Sequence, residues 1–228
     1  MRSIPNATAP PHRSPLRRTP LIVGIVIALV CFAGFWELAE DFASSPAVIG
    51  FDSRVSATVI AWRSPSATLL ARAVTTTGGT LVVTLLTVVL VAALWRRRHA
   101  FALSALVAIA GGALMVSLLK DRFGRIRPPA DNALVALPHS LSFPSGHSMS
   151  SLCVAGVLTY LTLRSSMRPA AKAAIIVALG LWVAAVGLSR VYLGVHWPSD
   201  VAASWFLGLG WLALLMGYSE ARREVPQA

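Results

Sequence analysis

The chain has 228 residues, of which 56% are hydrophobic and 13% charged, and its formal net charge is +11. So small a charged fraction cannot cover the surface of a water-soluble globule of this size, which excludes the ordinary soluble enzyme or binding domain. In a membrane protein a basic excess reads first as a topology signal, so no nucleic-acid partner is expected.

A hydrocarbon core about 30 Å thick needs roughly 20 apolar residues per helical span. Six runs approach that length, at 21–39, 80–95, 101–119, 149–163, 173–188 and 201–217. They lack the polar stripe that a buried helix of a soluble protein carries. The expected fold is therefore all-α, a six-transmembrane-helix bundle forming one membrane domain over 21–218. Residues 1–20 are expected to form a basic, proline-containing cytoplasmic tail and residues 219–228 a second one. The first run continues to Trp36 and Glu37 without a small-x-small cleavage site, so it reads as an uncleaved span. With both termini inside, twelve of the twenty Lys and Arg residues fall on the cytoplasmic side. Cys31 and Cys153 lie within apolar runs, where packing explains them better than a disulfide or a metal pair.

Between the first two spans the chain is too polar to cross and too apolar to be a plain loop. Short interfacial helices are expected there. Asp52 can cap one carrying Val55, Val59 and Trp62, and Ser64 with Pro65 can start another carrying Leu69, Leu70 and Val74. With Arg54, Arg63 and Arg72 opposite, these helices either lie among headgroups and help a lipid enter, or simply cover the bundle.

Three polar clusters fall at span ends assigned to one face. The first follows the third run and contains Lys120, Asp121, Arg122, Arg125, Arg127 and Pro128. If the helix continues to Arg127, a spacing of almost two turns stacks Lys120 and Arg127 along one line. The second, with Ser145, Gly146 and His147, immediately precedes the fourth run. A helix N-terminus presents unpaired N–H groups to an anion, Gly146 leaves room for its approach, and Ser145 offers a hydroxyl. The third contains Arg190, His196 and Asp200. A carboxylate four positions after a histidine can accept the Nδ1 proton and leave Nε2 as a free lone pair, or it can cap the sixth span, or do both. Together the clusters offer three permanent cations, helix-terminal donors and two histidines, which are the parts a phosphoryl transfer uses.

Lys120 with Arg127 and Pro128, then Pro144, Ser145, Gly146 and His147, then Ser189 and Arg190 with His196 and Asp200, resemble the three motifs of the type 2 phosphatidic acid phosphatase family. The resemblance runs from the first span to the sixth. It implies a lipid phosphate substrate and a phosphohistidine on His196, with Asp200 orienting that ring and His147 protonating the leaving group. It further implies that Lys120, Arg127, Arg190, Ser145 and the Gly146 backbone hold the phosphate, and that no metal or other cofactor takes part. The site would face outward from a plasma membrane. Two competitors share these residues: a phospholipid-binding or transport protein without hydrolysis, and an enzyme like the related vanadium-dependent haloperoxidases, which are soluble. Phosphatidic acid and undecaprenyl pyrophosphate are the favoured substrate types; a second phosphate could meet Arg122 and Arg125, which could equally bind neighbouring headgroups.

Overall fold

The computed structural model describes residues 18–223, except the side chains of Arg97 and Arg98. The expected N-terminal tail at 1–20 therefore lies almost wholly outside the described residues, as does half of the tail at 219–228. The described residues form seven α-helices and a short 3-10 turn, with no strand. In chain order these are α1 (Arg18–Asp41), α2 (Pro46–Ala61), α3 (Pro65–Thr77), α4 (Thr80–Phe123), the turn Ala130–Asn132, α5 (Gly146–Leu163), α6 (Pro169–Tyr192) and α7 (Pro198–Ala221).

Local sequence sets the helix ends. α2, α3, α6 and α7 each start on a proline, whose fixed φ suits the first helical position. The Ser64 hydroxyl accepts the Ala67 N–H at 3.2 Å, so α3 begins where Ser64 and Pro65 predict. Asp52 does not cap α2. That helix starts at Pro46 after Ser45, and Asp52 sits in its interior with 2% of its surface exposed.

Two apolar runs expected as separate helices are joined in α4, which stays helical through Arg96 and His99. A straight helix would place Val83 and Val116 about 50 Å apart. Both instead border one cavity and one apolar core, so the halves Thr80–Arg96 and His99–Phe123 double back on each other. Arginine and alanine are good helix formers, which lets helical hydrogen bonding persist through this turn.

Four helical stretches are long and apolar enough to cross a bilayer: α1, His99–Phe123, α6 and α7; α3 and Thr80–Arg96, bent by 42° at their junction, make a fifth if taken together. α5 falls short of that test because its first turn carries Gly146, His147 and Ser148. Leu29, Val30, Leu85, Val89, Leu118 and Leu181 all point outward. Each would forgo about 1.5–3 kcal/mol of burial in water and is at home in lipid. This is a membrane protein.

Small residues draw the outer helices together. A β-carbon on Gly24 of α1 would stand 2.6 Å from the Ala213 carbonyl oxygen of α7, and one on Gly217 would stand 2.9 Å from that of Pro20. The core behind them contains Phe35, Ile109, Val116, Phe143, Met149 and Leu207. Phe143 is fully buried, with its ring centroid 5.2 Å from those of both Phe42 and Phe123. That aromatic cluster fixes the chain just before α5.

Arg63 and Arg72 serve the protein. Arg63 donates to the carbonyls of Asn132 and Tyr192 at 2.8 and 2.7 Å, and Arg72 to that of Leu134 at 2.6 Å. They pin the loop after Pro128 against the C-terminal end of α6. Leu134 N–H also donates to the Leu193 carbonyl at 2.9 Å, and the close approach at Gly194, whose φ is +72°, leaves no room for a side chain.

Candidate active site

The three polar clusters meet at one end of the bundle. Lys120, Arg127, Gly146, His147, Arg190 and His196 all line a single cavity of about 730 Å³. Ser145 and Asp200 are fully buried beside it.

Arg127 reaches the cavity by a different route from the one its spacing predicts. α4 ends at Phe123 and is closed by Gly124 with φ +65°, so Arg127 stands on a loop and shares no helix face with Lys120. Both are held by carbonyls of the segment before α5. Lys120 Nζ donates to Leu141 and, at 3.4 Å, to Ser142, while Arg127 Nε donates to Ser140 at 2.8 Å. Arg127 Nη1 also donates to the Val195 carbonyl at 2.6 Å.

His147 occupies the first turn of α5, whose N-terminus opens on the cavity at Gly146. Its Nε2 would lie 3.6 Å from a β-carbon on Gly79, the N-cap of α4. Ser145 is not part of the cavity lining; its hydroxyl accepts from Ser148 at 3.0 Å, and its N–H donates to Ser204 at 2.7 Å. Arg190 extends from the last turn of α6 with 5% of its surface exposed. Its Nη1 donates to Thr75 at 2.7 Å, and its buried Nε has no acceptor. An unpaired buried guanidinium N–H is costly, and an anionic oxygen would satisfy it.

His196 is 3% exposed, in the turn between α6 and α7. Its Nδ1 lies 3.2 Å from Asp200 Oδ2. A carboxylate only accepts, so this contact puts the proton on Nδ1 and leaves Nε2 a lone pair. Nε2 receives an N–H from Arg127 Nη1 at 3.2 Å. Burial drives the His196 pKa down to about 4; Asp200 opposes this, while Arg127 and Arg190 reinforce it. The ring is therefore neutral at pH 7.

Asp200 is the third residue of α7 and does both things its spacing allows: Trp197 occupies the N-cap position, and its N–H donates to Asp200 Oδ2 at 2.9 Å to close a capping box. The Ser142 hydroxyl donates to the same oxygen, a contact that the sequence did not reveal. On the other oxygen Arg125 Nη1 donates at 2.6 Å. Arg125 is thus committed inward, and Arg122 is exposed outside the cavity lining, so neither stands where a second substrate phosphate would meet it in the cavity. Among the described residues no group of three or more His, Cys, Asp or Glu side chains could hold a metal ion.

From this polar end the cavity continues as an apolar slot between the halves of α4, walled by Val83, Val88, Leu106, Ile109, Ala113 and Val116. The sequence model of the PAP2 superfamily matches residues 101–224, a stretch that holds every charged group of this cavity. The chain belongs to the PAP2 superfamily. Among PAP2 proteins, it is similar to phosphatidylglycerophosphatase B of Bacillus subtilis (strain 168), with 36% identity over 115 residues, 50% of this chain and 56% of that protein. It is also 38% identical over 79 residues to an undecaprenyl-diphosphatase of Sulfolobus acidocaldarius, 34% of this chain and 33% of that protein. The matched regions thus span about half of the first curated relative and a third of the second. The crystal structure of a transmembrane PAP2 type phosphatidylglycerolphosphate phosphatase from Bacillus subtilis superposes with a TM-score of 0.77 at 30% identity, covering 85% of this chain and 96% of that one.

Proposed function

We propose that this PAP2 protein is a membrane lipid phosphatase that removes the terminal phosphate of a lipid monoester or pyrophosphate through a phosphohistidine on His196. The observation that carries the reading is the two-part cavity: cations and histidines at its polar end run directly into an apolar slot that opens between the halves of α4. Phosphate monoesters and diphosphates on lipids fit that division, and the names of the relatives fall within it. Phosphatidic acid and undecaprenyl pyrophosphate remain the substrate types proposed.

In this reading the phosphate enters among Lys120, Arg127, Arg190 and the Gly146 N–H. One phosphate oxygen takes Arg127 from the Nε2 lone pair. Nε2 then attacks phosphorus; the P–N bond forms as the P–O bond to the lipid breaks, and His147 gives its proton to the departing oxygen. The substrate's negative charge offsets the three surrounding cations and provides the field in which His147 holds that proton. Water next attacks phosphorus, His147 takes a proton back, and the P–N bond breaks to release phosphate. Asp200 fixes the tautomer throughout, and Ser145 supports the α5 N-terminus from beneath.

The reading extends to topology. α1, the two halves of α4, α5, α6 and α7 form six spans over 21–218, with α2 and α3 in the interfacial layer. The termini are cytoplasmic, and the site opens to the outside of the plasma membrane. A binding or transport protein would need the cations but neither a neutral imidazole nor its carboxylate. The decisive experiment is phosphate release from each purified lipid in detergent by the native chain and by His196→Ala. The variant should remain monodisperse and release none; full activity would overturn the assignment.

A further inference from the structure

Arg125 stands two residues before Arg127 and faces the opposite way, into the protein. Its Nη1 donates to Asp200 Oδ1 at 2.6 Å and to Ser199 Oγ at 2.7 Å, and its Nη2 donates to Asp52 Oδ2 at 2.6 Å. Asp52 comes from the interior of α2, where its remaining oxygen accepts the Ser199 N–H at 2.8 Å and Oδ2 also takes the Ser199 hydroxyl at 2.6 Å. The guanidinium lies over the Phe42 ring, 4.7 Å from its centroid, and 5.7 Å from that of Trp197. All three charged side chains are buried, with 8%, 2% and 0% of Arg125, Asp52 and Asp200 exposed.

A planar fork fixed at both ends leaves the Asp200 carboxylate little freedom to rotate. With Oδ1 held by Arg125, Oδ2 is the oxygen presented to His196 Nδ1. The trio carries one net negative charge, and a positively charged imidazole formed at His196 would meet it. Packing alone would be served by apolar residues at less desolvation cost, so a buried three-charge chain ending on this histidine needs a further reason. We propose that Arg125 and Asp52 are positioning residues that hold Asp200 against His196 and set the charge the imidazole feels. This rests on the reading of His196 as nucleophile. The other charged groups facing His196 are Arg127 from the loop and Arg190 from α6, with His147 from α5 and Lys120 from α4 across the cavity.

The test uses full-length protein in detergent and phosphate release from a short-chain phosphatidic acid, measured against pH for Arg125→Met, Arg125→Lys and Asp52→Asn. Expected is a fall in kcat of about 10- to 100-fold, the size of loss seen when the hydrogen-bond partner that orients a metal-ligating side chain is removed. KM should be unchanged, and Arg125→Lys should recover part of the loss. Arg125→Met removes a cation and should move the acidic limb of kcat/KM to higher pH. Asp52→Asn removes an anion and should move it lower. That opposition is a signature that damaged packing would not produce. Asp52→Asn keeps the side-chain shape and one of Arg125's two carboxylates, so it answers the question even if Arg125→Met does not fold. Native kcat with an unmoved limb, or a raised KM at native kcat, would overturn the proposal. His196→Ala is run alongside: an inactive His196 variant beside native-like Arg125 and Asp52 variants defeats only the positioning role, whereas an active one defeats the nucleophile reading beneath it.

Discussion

Asp200→Asn removes one charge without changing shape. The native carboxylate serves four donors: His196 Nδ1 at 3.2 Å, the Trp197 N–H at 2.9 Å and the Ser142 hydroxyl on Oδ2, and Arg125 at 2.6 Å on Oδ1. An amide has one oxygen. If it faces Arg125, its NH₂ meets His196 and drives the imidazole proton to Nε2, removing the nucleophilic lone pair. If it faces His196, the NH₂ opposes the guanidinium and the lost charge no longer stabilises the cationic ring. At an effective dielectric of about 20, a carboxylate and an imidazolium across that 3.2 Å contact attract by about 5 kcal/mol. Sharing the carboxylate with Arg125 reduces this, so the expected fall in kcat is about 10²- to 10⁴-fold, with KM little changed. The assay is phosphate release from purified lipid in mixed micelles, with thermal unfolding as the control for folding. A folded variant within about tenfold of native kcat, a difference of about 1.4 kcal/mol, would refute the role given to Asp200.

The acidic limb of kcat/KM, corrected for ionisation of the lipid phosphate, should lie near pH 4, where burial places His196, because protonation of Nε2 as pH falls removes the nucleophile; a limb at or above 6.5 would contradict that environment. Ala113→Phe, in the apolar slot, should raise KM for long-chain lipid phosphates and leave hydrolysis of a small soluble phosphomonoester unchanged. Equal losses on both substrates would show that the slot does not hold the lipid chain.

Apolar run length located the helices well but not their ends. The run at 173–188 belongs to a helix from Pro169 to Tyr192, because a helix continues through polar residues that find partners inside the protein, as Arg190 does with Thr75. The gap between the runs at 80–95 and 101–119 is not a break in the helix, since charge marks where a chain leaves lipid but does not stop helical hydrogen bonding. Lys120, Gly146, His147, Arg190 and His196 could be grouped beforehand because each lies at a span end assigned to one face. Arg127 lines the same cavity although Gly124 ends the helix before it, so the helix-face spacing from Lys120 is not what brings it there. Asp52 and Arg125 were not legible as partners. Their contacts bridge 73 and 75 residues, and spacing along a single chain carries no signal for such pairs. Asp52 is the one carboxylate between Asp41 and Asp121, but a helix-capping role accounts equally for a carboxylate there.

The matched family segment begins at residue 101, so it contains one wall of the apolar slot, from Leu106 to Val116, and not the facing wall, from Thr80 to Val88. The charged groups of the cavity and half of its apolar wall therefore sit on different stretches of chain, joined through the bend between the halves of α4. Bulk can be added or removed along Thr80–Val88 without changing any charged residue of the cavity. Under the proposed function, one set of phosphate-binding groups can then be refitted to lipids of another girth or branching by changing that single wall.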